Sequence, residues 1–507
     1  MNIALDTDSP GLLSTFLERH VDYPHAEFVL DARGSRVFRY GELLELVSCR
    51  RRQFDAWHLQ PGQRIGVRVS DPLEFVSWFL AALHAGLWLA PLDPTPSPTY
   101  TLTTEQRVQS LRLSAVISDV VPDSLVKVPW LDAKSNLVGS GTLEAEVDGG
   151  GVVLASSGTT GTPKVMALKK RQLLTNARFI AENHELTRDD RGFNSLPLWH
   201  INAEVVGVLA SLYAGSSLVL DERFHRTGFW KVVSDWDVTW INAVPAIIAR
   251  LVTLQEGESI PARLRFVRSA SAPLSPSLMR DFEALAGVAI IESYGMTEAG
   301  SQICANSLGA ARKPGSVGRP IGVEVRVKSV GNSEHVGRHG EVGPVEIKGP
   351  TVITAYDSVD YGDRFDEAGW LRTGDLGYFD DEGYLFLVGR SDDVINRGGE
   401  KIYPQEIENV LSSIEVLERV VVIGEPHEVF GQVPVAYLEF SPSFAQRADR
   451  LDEGLAMVRA ALLDGLSRTS RPAQLKVVET IPTHPTGKVR KALVRDGDVT
   501  VVRVESL

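Results

Sequence analysis

The nine residues Ser156 to Lys164 read SSGTTGTPK. Gly158 and Gly161 let backbone amides approach an anion closely, and the hydroxyls of Ser156, Ser157, Thr159, Thr160 and Thr162 donate further hydrogen bonds. Lys164 adds a positive charge. The apolar run Val152-Val153-Leu154-Ala155 precedes them, so the order reads as a buried strand opening into a polar loop. The ligand this chemistry suits is the phosphate chain of a nucleotide. It is not the common P-loop: Gly158 and Gly161 are too close together, and Pro163 stands where glycine should precede the lysine. A solvated linker has the same composition, so the stretch alone leaves both readings open.

Other stretches carry reactive side chains after short apolar runs. Leu196-Pro197-Leu198 ends in Trp199-His200, whose imidazole would titrate near neutral pH but could equally be structural. Ser269-Ala270-Ser271-Ala272-Pro273 forms a turn of small residues, and Glu292-Ser293-Tyr294-Gly295-Met296-Thr297-Glu298 combines carboxylates with hydroxyls. Asp375, within Trp370 to Gly377, could accept both hydroxyls of a ribose or cap its own turn. Charged residues and glycines crowd together from Arg390 through Asp392 to Gly398, Gly399 and Lys401. A basic turn, Pro485-Thr486-Gly487-Lys488-Val489-Arg490-Lys491, lies near the end of the chain. Taken singly, each turn reads as ordinary connection.

The elements that hold these turns follow from the apolar pattern. Arg64–Val69 reads as a strand, Pro72–Ala85 as an apolar helix stopped by Gly86, and Leu87–Leu92 as a second strand, which together predict a parallel unit. Further strands are expected to close at Leu196–His200, Val238–Pro245, Leu264–Arg268 and Val288–Ile291, with helices over Lys170–Glu185 and Ala203–Tyr213. Ligands of open parallel sheets bind outside the carboxyl ends of the strands, so these turns are expected to converge on one crevice. From about 317 to 390 short alternating strands with glycine turns predict a β-rich part, and from 392 to 507 a small α+β domain follows. The fold class is mixed α/β, with a large domain of layered sheets and helices over 1–391.

A chain of 507 residues is long enough for more than one domain. Its net charge of -13 argues against broad binding to nucleic acid, although a local basic pocket remains compatible with it. Cys49 and Cys304 imply no disulfide framework, and no apolar run is long enough to span a bilayer. The cytoplasm is the expected compartment.

Taken together, SSGTTGTPK, SYGMTE, RTGDLG with the following GYLFLVGRSDD and NRGGEKIYPQEIE, and PTGKVRK occur in an order that resembles the adenylate-forming superfamily. That superfamily comprises acyl-CoA synthetases, peptide-synthetase adenylation domains and beetle luciferases. The resemblance runs from Tyr40-Gly41-Glu42-Leu43 to the lysine turn and implies ATP, Mg²⁺ and coenzyme A as ligands. It implies that Ser156 to Lys164 hold the β- and γ-phosphates, and that Ala270, Ser271, Ala272 and Pro273 with Glu292, Ser293 and Tyr294, continuing into Gly295 and Met296, line the adenine site. Thr297 would contact the α-phosphate, and Glu298 with Thr160 would hold the metal. Asp375 would bind the ribose beside Arg390, Asp392 would be the hinge of a mobile lid, Lys488 would complete adenylation, and Gly398 and Gly399 would face the thiol channel.

The implied reaction joins a carboxylate to the α-phosphorus of ATP with loss of pyrophosphate, after which a thiol displaces AMP. Both first reactants are anions, so a metal and a lysine are the expected residue chemistry. This sequence departs from the family pattern in two places. Val165 stands where glycine usually follows the loop lysine, predicting altered loop packing and leaving room for slower adenylation. His200 stands near where amino-acid-activating members carry an aspartate, and an imidazole suits a carboxylate or the thiol channel better than an ammonium. The expected walls of the acid pocket are Trp199, His200, Asn242, Ala243, Ser269, Ala270, Gly295 and Met296; several are small, which suggests a fatty, aryl or bulky apolar acid. An acyl-AMP ligase that loads a carrier protein and a non-catalytic nucleotide binder are the alternatives to an acyl-CoA synthetase.

Overall fold

The computed structural model describes residues 12–18, 23–95, 103–120, 128–134, 143–156, 164–309, 311–329, 332–357, 364–445, 448–483 and 488–507. Ser157, Gly158, Thr159, Thr160, Gly161 and Thr162 lie outside them.

Local chemistry starts the first parallel unit where expected. The Asp71 carboxylate accepts from the backbone amides of Leu73 and Glu74, and Pro72 occupies the first helical turn, where its missing N–H costs nothing. Helix Pro72–His84 joins parallel strands Arg64–Arg68 and Trp88–Pro91. They belong to a 6-stranded sheet whose far edge is the antiparallel pair Gly151–Ser156 and Lys164–Lys169. That pair pins both ends of the hydroxyl-rich loop, with Ser156 opposite Lys164.

The second layer is a 9-stranded sheet. Its parallel centre runs in the order Ala289–Met296, Phe266–Ser269, Trp240–Ala243, Arg191–Asn194, Ser217–Leu220 and Glu27–Asp31. Trp78, Trp230 and Trp240 are fully buried, and one continuous apolar cluster fills the space between the two sheets and their helices. Burial on this scale, at roughly 25 cal/mol per Å² of apolar surface, is the main force holding the large unit together.

Several boundaries differ from the sequence expectation. The strand before Trp199 ends at Asn194, and Leu196–His200 is turn. The apolar segment from Ala203 begins as a π-helix over Ala203–Leu209 and becomes α-helical only over Ala210–Ala214. Glu292 to Met296 is strand, because Ser293–Met296 pairs antiparallel with Ser301–Ala305. Asp375 likewise lies within strand Leu371–Phe379 rather than in a turn. At Glu292–Met296 and at Asp375 tertiary strand pairing overrides local turn chemistry.

A 5-stranded sheet built from Glu324–Ser329, Asn332–Val336, Gly343–Lys348, Leu371–Phe379 and Leu385–Arg390 forms the β-rich part, all of its pairs antiparallel. Beyond Arg390 a separate 6-stranded sheet with helices Pro404–Leu411 and Ala448–Gly465 has its own apolar clusters.

Candidate active site

Parallel register brings the carboxyl ends of the central strands level with one another. Ala243 lies beside Ser269, and Ser269 lies beside Glu292. The turns that follow therefore open on the same edge. Ser271 takes a left-handed backbone with φ 73, the reversal that carries the chain out of its strand toward Pro273. Glu292 is buried; its Oε1 accepts the Leu274 amide at 3.4 Å, and its Oε2 has no partner. Burial raises this carboxyl to about 8. An orphaned buried oxygen beside a small-residue turn fits the edge of a base able to donate or accept a hydrogen bond.

Asp375 stands at the centre of the site. Tyr294, on the last strand of the parallel set, donates its hydroxyl to Asp375 Oδ2. Arg390, its cross-strand partner, donates Nη1 to Asp375 Oδ1 at 3.0 Å and Nε to Asp392 at 3.2 Å. Burial pushes the Asp375 carboxyl up, and the Arg390 charge, the Tyr294 bond and the Lys488 charge oppose that rise. Gly374 has φ +84, and a Cβ there would lie 2.7 Å from Arg390 Nη2, so only glycine lets the guanidinium close on the carboxylate.

Lys164 belongs to the same cluster. Burial lowers its ammonium first, then Arg364, while Glu298 raises it and Arg390 lowers it further. Glu298 lies in a 3-10 turn with Thr297, and its Oε1 accepts the Tyr356 hydroxyl at 2.9 Å. A carboxylate is the hard oxygen donor that Mg²⁺ takes; Thr160, its expected companion, lies outside the described residues. Among the described residues no group of three or more His, Cys, Asp or Glu could hold a metal by itself, so nucleotide phosphates would have to complete the coordination.

The acid-pocket candidates join through side-chain bonds. Asn242 donates to Asn202 Oδ1 at 2.9 Å, and Asn202 donates to Ser271 Oγ at 3.3 Å. Half-buried Trp199 and His200 immediately precede this Asn202 corner. Gly398 and Gly399 are exposed, in the tight turn between Ile395–Arg397 and Glu400–Ile402; the Gly398 amide donates to Phe430 O, and the Gly399 amide donates to Asn396 Oδ1. None of these contacts links the two glycines to the Asp375 cluster.

Val165 is 2 % exposed and packs with Ala90, Leu92, Val116 and Val153. The departure from glycine is a core side chain on strand Lys164–Lys169. Sequence reasoning passed over Tyr356, Arg364, Asn202 and Arg268. Only Asn202 carried a local signal, since it stands two residues after His200.

Turns opening on one edge of a parallel sheet, a buried carboxylate beside them and a lysine charge acting on it from the C-terminal part of the chain are the arrangement of an adenylate-forming enzyme. The chain belongs to the AMP-binding enzyme family: residues 16–357 match that family's model, and residues 406–488 match the model of the AMP-binding enzyme C-terminal domain. A sulfoacetate–CoA ligase of Cupriavidus necator is 33% identical over 494 residues, covering 93% of this chain and 95% of that protein. An oxalate–CoA ligase of Arabidopsis thaliana is 30% identical, covering 86% of this chain and 88% of that protein. The solved o-succinylbenzoate coenzyme A synthetase of Bacillus subtilis, in complex with ATP and magnesium ion, is 26% identical with a TM-score of 0.81, covering 96% of this chain and 100% of that one.

Proposed function

We propose that one cleft, opened and closed by the small domain, serves both half-reactions of an ATP-dependent acid–CoA ligase that releases AMP and pyrophosphate. The observation that carries this reading is the convergence on Asp375 of Tyr294 from the parallel sheet, Arg390 from the β-rich part and the charge of Lys488 from the small domain.

In the first half-reaction the acid and the α-phosphate of ATP are both anionic, and the barrier is chiefly one of charge and placement. Asp375 holds the ribose hydroxyls, Glu292 and the Ser271 turn hold the base, and Lys164 with the hydroxyl loop holds the outgoing phosphates. Glu298 with Thr160 would hold Mg²⁺, which when bound would supply charge neutralisation at the phosphates. Lys488 stabilises the charge that builds on the α-phosphate and the attacking carboxylate. Rotation about Asp392 then withdraws Lys488 and brings Gly398 and Gly399 to the cleft, opening a path for the CoA thiol. The thiol attacks the acyl carbon, and AMP leaves.

Sulfoacetate, oxalate and o-succinylbenzoate, the acids named for the relatives, differ in size and shape, so the acid is set by this chain's own pocket walls. The test is acid-dependent pyrophosphate exchange, followed by AMP release on addition of CoA. Exchange without CoA-dependent release, combined with transfer to a phosphopantetheine carrier protein, would replace CoA as the acceptor. No exchange with any acid would sink the ligase reading.

A further inference from the structure

Arg268 is 1 % exposed, in the middle of the parallel sheet on strand Phe266–Ser269. Its Nη1 donates to Asn242 Oδ1 at 3.3 Å, and its Nε has no partner. Among the described residues no carboxylate pairs with it: burial, with no opposing negative charge, lowers its guanidinium to about 9. A buried cation is costly unless paired. Burial, then the Arg268 charge itself, lowers His184 to about 3. Burial holds the Glu204 carboxyl well above the ordinary carboxylate range, and neither of its oxygens has a partner.

The place of this guanidinium matters as much as its isolation. Arg268 bonds Asn242, Asn242 bonds Asn202, and Asn202 bonds Ser271. This unbroken polar chain leads from the turn assigned to the nucleotide, past the His200 corner, to the guanidinium at its inner end. An acid whose carboxylate is activated beside Ser271 and His200 would point its other end along this chain.

We propose that Arg268 receives a second anionic group of the acid, so that the substrate carries a carboxylate or sulfonate at the end remote from the carboxylate that is activated. The inference rests on the ligase reading above and narrows its substrate class. A planar guanidinium suits a bidentate oxyanion, and a desolvated one discriminates strongly against an acid that leaves it unpaired.

The experiment is pyrophosphate exchange with acids matched in size, namely malonate, succinate and sulfoacetate against propionate and butyrate. The wild-type chain should show a kcat/KM for its best doubly anionic acid about 100-fold above that for the matched singly anionic one, the size expected of a charged hydrogen-bonded pair. Arg268→Met should collapse that ratio to within about threefold, because the lost interaction is made by one set of acids alone. Arg268→Lys, which keeps the charge in the same strand, should raise KM for the doubly anionic acid at least about tenfold with little change in KM for ATP. A wild-type chain that activates both sets equally well, a Met variant that keeps the preference, or a Lys variant with unchanged KM for the acid would each overturn the inference. Malonate against sulfoacetate separates a carboxylate from a sulfonate partner. If neither set supports exchange while a larger singly anionic acid does, this inference falls and the ligase reading stands; no exchange with any acid would sink both.

Discussion

Asp375 and Arg390 stand opposite each other on adjacent antiparallel strands, and the guanidinium Nη1 donates to the carboxylate over 3.0 Å. Burial pushes this carboxyl up, against its use as an acceptor for a ribose, and Arg390 is the largest charge working against that rise. Arg390→Met should therefore raise the Asp375 pKa further. Pyrophosphate exchange should then be lost at a higher pH on its acid side than in the wild-type chain, and KM for ATP should rise roughly tenfold or more. Exchange measured across pH 5 to 8 checks this; an acid limb that stays in place would remove Arg390 from its role.

Lys488 is exposed, yet its charge acts on the Asp375 carboxyl. A cation placed to stabilise transition-state charge in one step, and withdrawn for the next, should matter to one half-reaction only. Lys488→Ala is expected to lower pyrophosphate exchange by at least about a hundredfold while leaving thioester formation from supplied acyl-adenylate within a fewfold. Equal loss in both assays would show that the lysine does not have this role.

Asp392 accepts from Arg390 Nε at 3.2 Å, at the point where the β-rich part gives way to the small domain. Proline would fix φ near -65° there and remove one backbone donor. Asp392→Pro should separate the half-reactions, keeping one and losing the other. Small-angle scattering should show that the variant no longer changes shape when acyl-adenylate is added. A shape response equal to the wild type's would move the hinge elsewhere.

Glu292 titrates far from its ordinary value, raised from 4.5 to about 8 by burial. With the folded value above the unfolded one, its contribution to stability is fully present below about pH 4.5 and is lost as pH rises through about 8. Glu292→Gln carries no such dependence. In the absence of nucleotide, the melting temperature of the Gln variant minus that of the wild type should grow between pH 5 and 8 and level off above. A difference that is flat with pH would mean the carboxylate is ionised in the folded chain.

Val165 fills a core position one residue after Lys164. Val165→Gly, which restores the residue expected from the family pattern, should cost about 2–4 kcal/mol through the cavity and the freer backbone. Denaturant titration measures that cost. Pyrophosphate exchange in the folded variant should not rise; a faster rate would mean that Val165 slows adenylation rather than supporting the core.

The residues proposed to face the nucleotide were picked out by the order of their motifs along the chain, because each run taken alone, the hydroxyl-rich stretch and those of Asp375 and Lys488 included, reads equally as an ordinary turn. The parallel unit Arg64–Pro91 was plain, since Asp71, Pro72 and Gly86 mark its helix ends within the sequence itself. Tertiary structure alone decided which polar side chains were left unpaired. Whether Arg268 meets a carboxylate, whether Glu292 keeps one oxygen empty, and whether Tyr294 reaches Asp375, 81 positions away, depend on strands brought side by side from distant parts of the chain. Burial and pairing are properties of that assembled interior, because the cost of desolvating a charge depends on every neighbour packed around it.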